Sequence, residues 1–207
     1  TFAVFQGASG IVDVDTSAGA IGVTGMQFAS NGYILTGDAI TLEGAGGQSI
    51  IRVGDGTSAG ASMTAIIDSS LTGNSMLVKS DLGLLSLSGV NTYTGGTRID
   101  AGMLAVGSDA SLGDAAGSVI LNGGALGVGE SFDTQRSIVL NMAGRFEVAT
   151  GKTLGLAGTV SGVGDLVKLG DGTLTLTGTN TYDGNTLIEA GTLIGNAASI
   201  RGNVGNA

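Results

Sequence analysis

The 207-residue chain contains no cysteine, histidine, proline or tryptophan. Without cysteine it has no disulfide framework, iron–sulfur cluster or thiol nucleophile. Without histidine it has no Ser-His-Asp triad, no zinc site of the common kinds and no imidazole acid–base. Charge is also scarce: charged residues are 12% of the chain, about half the usual quarter. The expectation is a protein that is not an enzyme and carries no catalytic residue, metal or cofactor. The eight basic residues (Arg52, Lys79, Arg98, Arg136, Arg145, Lys152, Lys168 and Arg201) are scattered through a chain of net charge −9. Nothing clusters to neutralise phosphates, so nucleic acid and anionic membrane surfaces are excluded as partners.

Long apolar runs are missing too. The longest uncharged stretch, residues 16–37, is broken by Ser, Thr, Gln, Asn and Gly and never gives the 18 consecutive apolar residues of a membrane span. No signal peptide is recognisable, and the chain begins in mid-pattern, as expected of a segment cut from something longer.

What the chain has is glycine, 40 residues of it, together with Val, Ile, Leu and Thr in short alternating runs. Examples are residues 11–15, 40–42, 49–53, 84–88, 118–121, 137–140, 145–148 and 173–177. Apolar side chains at i and i+2 with polar ones between them have the period of a half-buried strand. Gly-Asp-Gly, Gly-Gly and Asn-Gly punctuate the runs and supply turns. Disordered chains lack the aliphatic content seen here. The chain reads as all-β.

A duplication specifies which all-β fold. Residues 77–107 align without gaps on residues 166–196, at an offset of 89, with 16 of the 31 positions identical. The shared residues run Leu-Val-Lys, then Gly-x-Leu-x-Leu-x-Gly-x-Asn-Thr-Tyr-x-Gly-x-Thr-x-Ile, then Ala-Gly-x-Leu. A diluted form covers 118–128. Within a copy, Leu174 and Leu176 point one way and Thr173, Thr175 and Thr177 the other. Residues 178–184 turn, with Asn180 and Asn185 as left-handed or bridging residues, and Ile188 and Leu193 face inward on two further strands. Three short strands with Gly/Asn corners make one coil of a parallel β-helix, and a unit of this size cannot bury its own apolar face without neighbours. Coils of roughly 20–25 residues give roughly nine coils and a rod about 45 Å long. A narrow interior accounts for the scarcity of rings, and coil-to-coil pairing through every N–H accounts for the missing proline. A β-sandwich or up-and-down barrel is the alternative, but neither predicts the recurring motif.

The two copies resemble the autotransporter-associated β-strand repeat, also called the passenger-associated transport repeat, whose pattern is approximately G-x-G-x-L-x-L-x-G-x-N-T-Y-T-G-G-T-x-I-x-x-G-x-L. The second copy departs at Asp183 and Asn185, the first at Asp81, which stands where the pattern opens on Gly. The copies cover about 30% of the chain; residues 25–42, 50–57 and 199–207 are similar to passenger sequence less specifically. The resemblance implies that residues 1–207 are a single right-handed, three-faced parallel β-helix segment from the passenger of a classical (type Va) autotransporter. It implies display on the bacterial surface or release from it, and export through the protein's own C-terminal outer-membrane barrel, whose strand pattern is not recognisable after residue 166.

Asp13 and Asp15 share an outer face at about 7 Å, a spacing open to a glycosidase pair, although solvated strand residues explain them as well. Asp55, Asp165 and Asp171 stand in Gly-Asp contexts similar to calcium-binding repeats, but tandem nine-residue spacing is missing and turn geometry suffices. Thr173, Thr175, Thr177, Thr179 and Thr181 form a Thr-x-Thr array like those of ice-binding solenoids, which the equivalent run 84–92 does not continue. Tyr93 and Tyr182 are read as rings packed on a neighbouring coil with the hydroxyl on a corner carbonyl, in preference to an exposed pair for glycan stacking. The equivalent pairs Asn91 and Asn180, Asp100 and Glu189, and Lys79 and Lys168 are read as corner residues, solvated or paired between coils. No ligand-binding residue is assigned. The favoured function is an adhesin segment binding a host-surface or matrix component, a glycan or neighbouring bacteria, with self-association open. The alternatives are a stalk that supports secretion and, behind both, a β-helix polysaccharide hydrolase or lyase.

Overall fold

A computed structural model describes residues 1–206 as a parallel β-solenoid of about nine turns. All strand pairs are parallel, and each strand pairs with the strand one coil away. Coil length varies: Leu187 sits beside Gly205 at the short extreme and Tyr33 beside Ala65 at the long one. The sandwich and barrel alternatives, which require antiparallel neighbours, are thereby excluded.

Three sides run the length of the rod. One is an eight-stranded sheet, from Phe2–Phe5 to Val160–Gly162; the next is a ten-stranded sheet, from Ile11–Val14 to Val204–Asn206. The third side is split. A three-stranded sheet (Ile21–Val23, Ile40–Leu42, Leu71–Gly73) covers the N-terminal coils and a four-stranded sheet (Phe132–Thr134, Thr153–Leu156, Thr173–Leu176, Thr192–Ile194) the C-terminal ones. Between them the chain crosses this side as residues 88–96 and then 107–118, the latter carrying a short 3-10 turn, Asp109–Leu112. Backbone bonds keep the stack continuous there, from Thr92 N–H to the Leu71 carbonyl (2.8 Å) and from Asp114 N–H to the Tyr93 carbonyl (3.0 Å).

The alternating runs become strands because alternation matches the inside and outside of a coil. Leu85, Leu104, Leu126 and Phe146 stack in register inside the ten-stranded sheet, with Leu87, Val106, Val128 and Val148 in the neighbouring column. All are buried, and each such side chain contributes about 1.5–3 kcal/mol by leaving water. Leu174 and Leu176 are inside, as expected; Ile188 and Leu193 are only half-buried because they belong to the last coils. Among the described residues no helix is long and apolar enough to cross a membrane. The uncharged stretch 16–37 folds into three strands instead.

The two repeat copies do not occupy the same side. In the first, strands Met76–Ser80 and Leu84–Leu87 lie in the eight- and ten-stranded sheets; in the second, Leu166–Leu169 and Thr173–Leu176 lie in the ten- and four-stranded sheets. An offset of 89 residues is thus not a whole number of coils, and the second copy is turned by one side around the rod. The departure at Asp81 also has a structural meaning. Its φ is +65°, matching +70° at Gly170 in the second copy, so the position is left-handed in both. Aspartate is among the few residues that tolerate this region. Its carboxylate accepts hydrogen bonds from Leu82 N–H (2.9 Å) and Gly56 N–H (3.2 Å).

Candidate functional site

The repeat's polar residues turn inward and tie coils together. Asn91 is buried, and its side-chain amide behaves as an extra peptide unit. Oδ1 accepts from Leu71 N–H in the coil before (2.8 Å), and Nδ2 donates to the Ser111 carbonyl in the coil after (2.6 Å). Asn180 repeats this between Val160 N–H (2.8 Å) and the Ser199 carbonyl (2.6 Å). None of Asn91, Asn180 and Asn185 has a positive φ, so the left-handed option for Asn180 and Asn185 does not occur. Asn185 is exposed and accepts from Asn203 N–H.

Tyr93 and Tyr182 are buried, as the packing reading expected, but their hydroxyls meet threonines, not carbonyls. Tyr93 Oη lies 2.7 Å from Thr97 Oγ1, and Tyr182 Oη 2.7 Å from Thr186 Oγ1. Burial pushes the Tyr93 hydroxyl up to about 12, so it stays protonated. Being buried and on different sides of the rod, the two rings cannot form an exposed pair for a sugar.

Lys79 and Lys168 correct the sequence reading. Neither is solvated and neither forms an ion pair among the described residues; both are fully buried with the ammonium inside a corner. Lys79 Nζ donates to the carbonyls of Ser80 (3.0 Å), Asp81 (2.8 Å) and, one coil on, Ala101 (3.1 Å). Lys168 Nζ reaches Leu169, Gly170 and Ala190 in the same way, at 2.7, 2.7 and 3.2 Å. Desolvation pulls the Lys79 ammonium down to about 8, and that of Lys168 downward too, against the opposing fields of Asp81 and Asp171. Each lysine therefore supplies the donors for carbonyls that the tight corner turns inward.

Arg136 was only one of eight scattered cations in the sequence, yet it makes the densest polar cluster in the molecule. Its buried guanidinium forms a two-point pair with the Asp109 carboxylate (2.8 and 3.2 Å). It also donates to the carbonyls of Asp109 (3.0 Å), Gly113 (2.7 Å), Asp114 (2.5 Å) and Gly117 (3.1 Å). It holds the segment that replaces a strand on the third side. Its partners lie 19 to 27 residues upstream, which is why no local motif announced it.

The other weighed residues are structural or solvated. Asp13 and Asp15 are exposed, and Asp15 accepts from Ser17 N–H (2.8 Å), which holds its carboxyl below the ordinary value. A glycosidase acid needs the opposite shift. Asp55 closes a turn on Thr57, which likewise lowers it; Asp165 accepts from Asn185 N–H and Asp171 from Thr150 Oγ1. Asp100 is paired with Arg98 (2.8 Å) and accepts from Asn122 Nδ2, whereas Glu189 caps no such pair. Thr173 does stack on Thr153 and Thr192, but beside it Thr175 lies between Gly155 and Ile194, so the threonine face is one column wide. With these side chains buried, locally satisfied or solvated, they do not converge on a site. Surface for recognition is left on the outer sides, above all a trough along the ten-stranded sheet between Ser86 and Asp171.

A solenoid whose coils are pinned by duplicated Asn, Tyr and Lys clamps is a repeat protein of nearest-neighbour type. Residues 77–106 and 166–194 match the Passenger-associated-transport-repeat family. The chain is 50% identical over 194 residues to a protein described as "Adhesin BmaC autotransporter" from Brucella suis biovar 1 (strain 1330); the match takes in 93% of this chain and 6% of that protein. The chain thus spans a small fraction of the relative's length. It is autotransporter passenger sequence carrying passenger-associated transport repeats. No solved structure matches it.

Proposed function

We propose that this segment is part of the adhesive surface of a bacterial autotransporter, displayed outside the outer membrane and non-catalytic. The carrying observation is the 50% identity to a protein named as an autotransporter adhesin, extending over nearly the whole segment. The physical reading agrees with it. The inside is committed to packing and clamps, so partners meet the rod on its outer sides, where affinity accumulates over extended polar surface and many copies. The repeats themselves act as scaffold: a formed coil templates the next, which suits folding during export through the protein's own C-terminal barrel. Host-surface proteins, glycans and other bacterial cells are the partner classes in play.

Deletion of residues 1–207 from the full-length protein separates this role from that of a plain stalk. Normal surface display with attachment reduced several-fold is the expected result. Undiminished attachment, or loss of display alone, would contradict it.

A further inference from the structure

The outer side of the ten-stranded sheet is not flat. Two cavities of about 480 and 410 Å3 share Ala105 and Gly129 and form one trough along the rod. Its floor is low because Ser86, Ala105 and Gly127 stand side by side in register, Gly127 lying under the Met103 thioether, with Gly107 and Gly129 open just beyond the strand ends. Four coil steps separate Ser86 from the level of Asp171, about 19 Å, which matches some six residues of extended peptide.

Gly107 and Gly129 are unlike most glycines of this chain. Neither has a positive φ, and a Cβ on either would meet only one atom within 4 Å, at 3.9 Å (Glu130 Cγ) and 4.0 Å (the Val106 carbonyl oxygen). The fold therefore admits side chains there, and their omission keeps the trough open. By contrast Gly170 and Gly191 combine positive φ with a carbonyl oxygen 2.4 Å from the Cβ position.

The lining is acidic. Glu147 has no hydrogen bond or ion pair among the described residues; Glu130 is held by Lys152 (2.5 Å), and Asp171 accepts from Thr150. No lysine or arginine lines the trough, and Arg145, on the same strand as Glu147, donates instead to the Gly123 carbonyl at the far edge. Nor does any aromatic ring line it, so the stacking surface that sugars favour is missing.

We infer that this trough seats an extended, lysine- or arginine-bearing peptide segment of a partner protein, its cations facing Glu147 and Asp171, which no cation among the described residues pairs, and its backbone lying over the small residues of the floor. The inference rests on the adhesin reading and adds the partner's chemistry to it.

Three fluorescent probes test it on the 207-residue protein by anisotropy at low salt: the dodecapeptides (Lys-Ser)6 and (Glu-Ser)6, and neutral cellohexaose. The expected result is binding of (Lys-Ser)6 only. Gly129→Val should weaken that binding at least tenfold without altering net charge, whereas generic attraction to an acidic rod would leave it intact. Glu147→Gln should weaken it as well, and Asp13→Asn, at the N-terminal end of the same sheet, should not. Absent (Lys-Ser)6 binding, binding indifferent to Gly129→Val in a variant with unchanged circular dichroism, or preferential binding of cellohexaose would overturn the proposal. Any of these beside an attachment phenotype on deletion of the segment removes the trough and leaves the adhesin reading; loss of that phenotype removes the reading itself.

Discussion

Arg136→Ala will lower the unfolding free energy by about 2–4 kcal/mol, below the full range for breaking a buried charge pair because the Asp109 side chain keeps 30% exposure to water. The loss has two parts. The Asp109 carboxylate keeps its charge without its two-point partner, and the carbonyls of Gly113, Asp114 and Gly117 lose their donor. Residues 109–117 have no strand ladder of their own on this side of the rod and are tied to the coil before by isolated bonds such as Asp114 N–H to the Tyr93 carbonyl, so the guanidinium is their densest anchor. Urea unfolding will show a lower midpoint, and hydrogen exchange will accelerate first in this segment. Arg136→Lys will recover only part of the loss, because a point ammonium cannot span Asp109 and three carbonyls as the planar fork does. A shift below 1 kcal/mol for Arg136→Ala would show that the segment is held by its packing alone.

Lys79→Met should cost about 2–3 kcal/mol, since the methionine fills the space but leaves the carbonyls of Ser80, Asp81 and Ala101 without a donor. Lys168→Met should act in the same direction. The sites lie four coils apart with no shared partner, so the double variant should lose the sum of the two within about 0.5 kcal/mol. The pH dependence has a definite sign. Burial lowers the Lys79 ammonium from 10.5 to about 8 in the folded chain, so between these values the unfolded chain binds the proton more tightly. This group's contribution is full above the unfolded value and is lost as pH falls through about 8. Native stability should therefore rise from pH 8 to 10.5 by an amount that Lys79→Met abolishes. An unchanged slope in the variant would refute the assignment.

Much of the coil was legible because its determinants are local. Alternation at 84–88 and 173–177 directly encodes which side chains face in, and the duplicated Asn-Thr-Tyr motif marks a stacked unit. The burial of Leu85, Leu87, Leu174 and Leu176 follows from that alone. What stayed hidden depends on contacts across coils. A lysine in an otherwise aliphatic strand reads as solvated until the corner carbonyls that receive it, partly from the next coil, are placed. Arg136 and the loop it holds are joined only by the register of the stack. The trough was equally invisible: Ser86, Ala105 and Gly127 are far apart in sequence, and variable coil length conceals that they are neighbours. For the same reason the two copies read as equivalent positions, although they lie on different sides.

The stacking itself can be measured as a distance ladder, since a chain without cysteine accepts spin labels cleanly at chosen sites. Ile11, Ile34, Ile66, Ser86, Ala105, Gly127 and Glu147 form one outer column in successive coils. Labels on Ile11→Cys and Glu147→Cys are six coil steps apart, about 29 Å, and those on Ser86→Cys and Glu147→Cys three steps, about 14 Å, at ~4.8 Å per step. Electron paramagnetic resonance on the two double variants should give the first separation close to twice the second, each with a narrow distribution. Two equal distances, or a first distance shorter than the second, would contradict a stack of parallel coils.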